Sequence, residues 1–294
     1  MSDRNIGALI AIAGVVMFSA KAVMVKLGYR YEADTVTLLL LRMIFALPFY
    51  LAVMVRSTKK TNAYKLTRKD IGSIVGLGFI GYYLASYFDF YGLQFISASL
   101  ERLILFIYPT LVIVISVIIL KKKASRIQIY AILITYLGIF IAFADDLNME
   151  SEHLWIGVIS IFLSALTYAF YLVGSGEMIP KLGAVRFTSY AMTVSCVMVI
   201  LHYLFINSFE VLRQPWEVYV LGFGMATIST VIPSFLISEA INRLGASNFA
   251  IYGSLGPIST ILLAIFFLGE WIDLYQIVGT VIVIVGVSII NIKK

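Results

Sequence analysis

The sequence predicts an all-α polytopic membrane protein with ten transmembrane helices, built as two inverted five-helix repeats. Three observations predict it. The 294 residues are 61% hydrophobic and 13% charged, where soluble domains carry roughly 25% charged residues. Apolar stretches near the ~20 residues needed to cross a bilayer recur ten times. The second half also repeats the first at a nearly fixed offset. A chain this apolar cannot hide its side chains in one aqueous core, so lipid must serve as its solvent.

The ten stretches run 6–28, 35–56, 71–91, 97–120, 126–144, 155–174, 184–206, 218–238, 247–268 and 272–291. The first, "IGALIAIAGVVMFSAKAVMVKLG", is long, carries Lys21 and Lys26, and has no clear small-residue cleavage site. It therefore reads as a helix of the mature chain rather than a signal peptide. The single cysteine, Cys196, lies within the seventh stretch and excludes an intramolecular disulfide. The connections are short and hold most of the charge.

That charge is segregated. With the N-terminus inside, most of the 22 basic residues fall on inner loops and tails, among them Arg56, Lys59, Lys60, Lys121, Lys122, Lys123, Lys181 and Arg243. The outer loops are acidic, with Asp34, Asp145, Asp146, Glu210, Glu270 and Asp273. The positive-inside rule then predicts both termini in the cytoplasm. The net charge of +6 is topology, not a nucleic-acid footprint.

The repeat is legible residue by residue. "IGALIAIAGVVMF" from Ile6 lies over "IGVISIFLSALTY" from Ile156, at a spacing of 150. "ASLERLILFIYPTLVIVISVIIL" from Ala98 lies over "ASNFAIYGSLGPISTILLAIFFL" from Ala246, at a spacing of 148. The second register aligns Ser99 with Ser247, Pro109 with Pro257 and Gly138 with Gly286. Five spans per copy is an odd number, so the second copy must be inverted. The equivalent loops "LKKKASRIQ" and "LGEWIDLYQ" carry opposite charge, as facing opposite sides requires. The predicted units are 1–148 and 149–294. Inverted repeats are a recurring plan of secondary transporters, with solute held between them near the midplane.

Ten spans in a five-plus-five arrangement resemble the drug/metabolite transporter superfamily, in its EamA-like branch. The resemblance covers nearly the whole chain. It is carried by Lys26 near the end of span one, Arg42 in "LLRMIFALP", "INRLGASNFAIYGSLGPISTILLAIFFLGEWI" and the closing "QIVGTVIVIVGVSII". Its most specific part is the "GAS…P…LGE" run from Gly245 to Glu270. The resemblance implies a secondary transporter of small organic solutes, often an exporter of amino acids or related metabolites in a bacterial cytoplasmic membrane. Two departures stand out. The first copy has Lys122 where the second has Glu270, and Glu101 and Arg102 stand where the second copy has Phe249 and Ala250.

Six charged residues fall inside proposed spans away from their clear ends: Lys21, Arg42, Asp89, Glu101, Arg102 and Glu239. A charge at the centre of a spanning helix costs about 2.5–3.5 kcal/mol on insertion scales, so such residues face the bundle interior or a wet cavity. Neighbours at i and i+1 point ~100° apart on a helix, so Glu101 and Arg102 need other partners. Lys21 is the candidate for Glu101, and Asp89 for Arg102. The competing reading lets both side chains reach the outer interface. Arg42 is expected to hold helices together, and Glu239 to pair locally with Arg243.

The span "GFIGYYLASYFDFYG" offers Tyr83, Ser86 and Tyr87 at three- and four-residue spacings as pocket-lining candidates, with an interfacial belt as the bland alternative. Tyr108, Tyr168 and Tyr252 are further candidates for lining. Pro109 and Pro257, at matching repeat positions, are expected to kink their helices and serve gating. His153 and His202 stand apart, so no metal site is expected. Nucleophile and nucleotide motifs are likewise missing. No catalytic residue and no cofactor is expected.

The resulting expectation is a carrier, not an enzyme, working by alternating access. Lys21, Arg42 and Arg102 against Asp89 and Glu101 leave one net positive charge, which suits a solute with a carboxylate. Protonation of Glu101 would couple transport to protons by changing its pairing. The partners are a small-molecule solute and membrane lipid, with no nucleic acid; the oligomeric state is open. The rival readings are a membrane enzyme or carrier for a lipid-linked substrate, and a passive channel.

Overall fold

The computed structural model describes residues 3–58, 65–121, 126–142, 153–206, 213–244, 252 and 255–292, and among these every regular element is helical. The helices are α1 (Asp3–Tyr29), α2 (Thr35–Thr58), α3 (Arg68–Gly78), α4 (Ala85–Gly92), α5 (Ala98–Leu105), α6 (Tyr108–Leu120) and α7 (Arg126–Ala142). They continue as α8 (Leu154–Leu182), α9 (Ala184–Ile206), α10 (Trp216–Ala226), α11 (Ile232–Leu244), α12 (Leu255–Leu268) and α13 (Leu274–Ile292). Wide π-turns, Phe79–Leu84 and Thr227–Val231, join α3 to α4 and α10 to α11 into continuous rods. These two turns begin 148 residues apart, the spacing of the sequence repeat.

Among the described residues, seven segments are long and apolar enough to cross a membrane: Asn5–Tyr29, Thr35–Thr58, Arg68–Gly92, Ala98–Ile119, Leu154–Leu182, Ala184–Ile206 and Trp216–Ile237. Three shorter apolar helices, Ile132–Ala142, Leu255–Leu268 and Leu274–Gly286, coincide with the remaining predicted spans. The starts of the stretch 247–268 and the end of 126–144 lie outside the described residues.

Polar side chains set the helix ends. Asp34 Oδ1 accepts from the Val36 and Thr37 amides at 2.9 and 3.0 Å, opening α2. Thr67 and Asp70 form a reciprocal capping box at α3. Ser97 Oγ accepts from Leu100 N at 3.1 Å, opening α5. Gly183, at φ 78°, breaks α8 from α9 in a backbone region that glycine enters freely.

Burial is inverted relative to a soluble protein. Phe205, Phe266 and Ile118 are 86%, 82% and 70% exposed, while Lys21, Arg42, Asp89 and Glu101 are buried. Lipid is the solvent that makes this arrangement stable.

The packing exchanges the halves. α1 lies against α11 and α12, and α8 lies against the α3–α4 rod, α5 and α6. α2 packs on α9, and α7 packs on α13. The α7–α13 crossing is glycine to glycine: a Cβ at Gly279 would stand 2.5 Å from Gly138 O, and one at Gly138 would stand 2.9 Å from Gly279 O. Small residues let backbones approach this closely.

Candidate functional site

A cavity of about 210 Å³ runs between the halves. A space of this size admits a small metabolite rather than a macromolecular segment. Its lining begins at Asp89 and Arg102, one turn inside the 93–97 connection, and reaches Ile179 and Ala184 at the opposite ends of α8 and α9.

Its walls follow the repeat register. Tyr82, Ser86 and Asp89 of the first copy line it together with Thr230, Ser234 and Ile237 of the second, each pair 148 residues apart. Phe18, Lys21 and Arg42 face it with Tyr168, Tyr171 and Met192, each pair 150 apart. The scaffold is thus shared between copies, but at these positions the charge belongs to the first copy alone.

At the cavity's buried end, Lys21 Nζ donates to Asp89 Oδ2 at 2.5 Å and to Glu101 Oε1 at 3.4 Å. Glu101 has no exposed surface, so it faces the bundle interior and not the outer interface. Asp89 therefore pairs with Lys21, not with Arg102 as the sequence suggested. The two carboxylates sit beside one ammonium, and Asp89 Oδ1 and Glu101 Oε2 are buried without a hydrogen-bond partner. Such a cluster is expensive to bury and expensive to break.

The two guanidiniums are held differently. Arg42 Nε donates to Thr230 Oγ1 at 2.8 Å and its NH1 nitrogen to Ser86 Oγ at 3.2 Å, bridging the halves as expected of a helix tie. Phe90 lies against its other side, 5.3 Å from ring centroid to Cζ. Arg102 stands over the Phe18 ring at 5.5 Å, with Nε buried and unpartnered. Neither arginine has a carboxylate within ion-pairing distance among the described residues. Gly256 makes room for Arg102, since a Cβ there would overlap the guanidinium.

Aromatic rings form the opposite wall. Tyr108 meets Tyr168 edge-on at 5.4 Å, Tyr82 meets Tyr171 at 4.8 Å, and Tyr168 stacks on Tyr171 at 5.9 Å. Of the predicted lining residues, Lys21, Arg42, Asp89, Arg102, Tyr108 and Tyr168 reach the cavity. Tyr83 and Tyr87 do not: Tyr83 Oη bonds His202 Nδ1 at 2.9 Å, and the Tyr87 ring packs on His202 at 5.1 Å. Tyr82, four residues before Ser86, lies on the cavity face with Gly81, Ala85, Ser86 and Asp89, and Tyr83 turns to the other side of it. Tyr252 packs beside Ala11 and Ala240, away from the lining.

Pro109 lies in the first turn of α6, after a break at Phe106–Ile107 that divides the predicted span. The kink is a full interruption of the helix. Pro257 is buried in the first turn of α12. Glu239 pairs with Arg243 at 2.5 Å, the local pairing its spacing predicts. Among the described residues no cluster of metal-ligating side chains forms.

Sequence reasoning missed Phe18, Tyr82, Tyr171, Thr230 and Ser234 as lining residues. Carrying Lys21, Ser86 and Tyr168 across the repeat offsets would have found Tyr171, Ser234 and Phe18, but not the pair Tyr82 and Thr230.

The EamA-like transporter family model matches this chain twice, over residues 5–144 and 155–292. An uncharacterized transporter of Bacillus subtilis (strain 168), YcbK, is 32% identical over 93% of this chain and 88% of its own. An uncharacterized transporter of Synechocystis, sll1319, is 23% identical over 100% of this chain and 96% of its own. A solved crystal structure superposes with a TM-score of 0.67 at 11% identity, covering 97% of this chain and 95% of that one. That likeness is one of fold.

Proposed function

Because this chain belongs to the EamA-like transporter family and is a multi-pass membrane transporter, we propose that the cavity is its solute site. In this reading the chain is a secondary transporter working by alternating access between two inverted five-helix repeats, 1–148 and 149–294. Inversion is supported by a contact between the end of α12 and the start of α5, where Glu270 meets Ala98 and Ser99. Those elements occupy equivalent spans, so repeats of parallel orientation would hold the two points at opposite ends.

The solute is a small carboxylate-bearing metabolite, such as an amino acid, moved outward across the cytoplasmic membrane. The observation that carries this is charge imbalance at the cavity. Lys21 is neutralised by Asp89 and Glu101, while Arg42 and Arg102 have hydroxyl and ring contacts only. Arg42 is already engaged as a tie between helices. Arg102, with an unpartnered buried Nε, is the anchor for the anionic group, and Asp89 Oδ1 is an acceptor for a solute donor. The tyrosine wall takes the rest of the molecule. Charge-assisted, bidentate pairing makes an arginine suited to this task.

Glu101 is the proton-coupling site in the same reading. It competes with Asp89 for one ammonium, with Arg102 next along the helix. Protonation would remove the surplus carboxylate and release Lys21 wholly to Asp89, biasing one conformation. The small cavity and the family favour this carrier over an enzyme or carrier for a lipid-linked substrate.

The deciding experiment is a counterflow and thermal-shift screen of carboxylate metabolites on purified protein, with Arg102→Ala in parallel. Wild type should respond to at least one carboxylate and the variant to none. Chemical turnover without flux would instead establish an enzyme, and conduction without counterflow would establish a channel.

A further inference from the structure

The end of the bundle that holds the 30–34, 93–97 and 269–273 connections is tied shut by polar contacts, and nothing in the solute-site reading uses them. Glu270 Oε1 accepts from Ala98 N at 2.8 Å. Its Oε2 accepts from Ser99 N at 3.1 Å and Ser99 Oγ at 2.7 Å. The first amides of a helix have no partner within it, and the helix dipole favours an anion there. Gly269, at φ 69°, makes the turn from which Glu270 projects.

Two further clasps flank this one. Arg30 Nη2 donates to Leu268 O at 2.6 Å, tying the end of α1 to the end of α12. Lys26 Nζ donates to Leu93 O and Ile96 O at 3.1 and 3.0 Å, tying α1 to the α4–α5 connection. Each clasp joins a side chain to backbone at a helix end, and two of the three cross between the halves of the chain. Neighbouring Trp271 is 96% exposed and lies in the 269–273 connection, outside the apolar helices, where water at the membrane surface can replace these bonds when they part. Exchange of protein for water hydrogen bonds costs little, unlike separation of an interdigitated apolar interface.

We propose that Glu270 is a latch that holds this end of the cavity closed, and that its release opens the cavity there. The helix it grips is short, and its next turn carries Glu101 and Arg102, so movement of the latch moves the charged floor of the cavity. The opposite end of the lining, at Ile179 and Ala184, is half-buried, and its described ties are of another kind: an ion pair of Lys181 with Asp70 and a hydroxyl pair of Thr58 with Tyr190. The latch is also one-sided by sequence. The repeat counterpart of Glu270 is Lys122, and an ammonium cannot accept hydrogen bonds from helix amides. The resting protein therefore favours closure at the Glu270 end.

The test needs no solute. Spin labels at Gln94→Cys and Trp271→Cys report the separation of the two connections in liposomes, while native Cys196 is fully buried and stays unlabelled. The otherwise wild-type protein should give one dominant short distance. Glu270→Ala should lose that dominance to a second, longer population, and Ser99→Ala, which removes one bond of three, should shift it less in the same direction. Glu270→Ala and Ser99→Ala proteins that keep the single short distance would overturn the latch. If Glu270→Ala does not fold, Glu270→Gln and Ser99→Ala decide by the same readout. A carrier with no carboxylate affinity would still show the shift, so this result stands apart from the identity of the solute.

Discussion

Lys21 and Asp89, 68 residues apart, meet at 2.5 Å inside the bundle, and the same ammonium reaches Glu101 at 3.4 Å. This triad buries three charges in the bundle, and two of its members, Lys21 and Asp89, also line the cavity. Breaking a buried pair by removing one partner costs about 3–5 kcal/mol, because the other charge stays buried. Lys21→Ala, which strands two carboxylates, should lower the unfolding temperature markedly in detergent. The double variant Lys21→Ala with Asp89→Ala should lose less than the two single losses combined. Additive losses would show that the pair is not coupled.

Glu101→Gln mimics the protonated side chain at nearly constant shape. Solute flux in liposomes should persist, but an imposed pH gradient should no longer drive it. Asp89→Asn offers the contrast, since it removes the closer partner of Lys21. Flux by Glu101→Gln with an unaltered pH response would end the coupling role of Glu101.

Arg102 behaves differently from Lys21 because, among the described residues, no carboxylate is ion-paired with it. Arg102→Gln should fold nearly as well as wild type. Its affinity for a carboxylate solute should fall roughly 10- to 100-fold, the weight of a charge-assisted bond. Equal affinity by thermal shift or counterflow would remove Arg102 from the site.

Gly256 tests the same anchor without touching it. A Cβ there overlaps the Arg102 guanidinium, so Gly256→Ala should displace the arginine and weaken solute binding while Arg102 remains. Unchanged binding would mean that the guanidinium has freedom the packing does not suggest.

At the far side of the fold, Gly279→Ala should destabilise by about 1–3 kcal/mol, the usual cost of overpacking, because its Cβ meets Gly138 O and Ala142. Stability is read by thermal unfolding, with solute affinity expected to hold. A matched stability would mean that α7 and α13 part easily.

The sequence by itself determined the class of the protein, the positions of its apolar segments and the repeat. Those follow from composition, from segment length against bilayer thickness, and from the offsets of 148 and 150 residues, all of which are properties of the chain read in one dimension. It also picked out Lys21, Arg42, Asp89 and Arg102, because a charge inside a span must be accommodated somewhere. Pairing was another matter. That Asp89 goes to Lys21, that Arg102 is left to Phe18, and that Glu270 seals the start of α5 depend on how separate helices rotate and approach. Tyr82 and not Tyr83 reaches the cavity for a similar reason, since both lie within a turn of Ser86 and only packing against the neighbouring helices sets which side of Ser86 faces inward. Tertiary structure decided those contacts because low dielectric makes each buried charge take the best partner within a few ångströms, and only the packed bundle sets which partner that is.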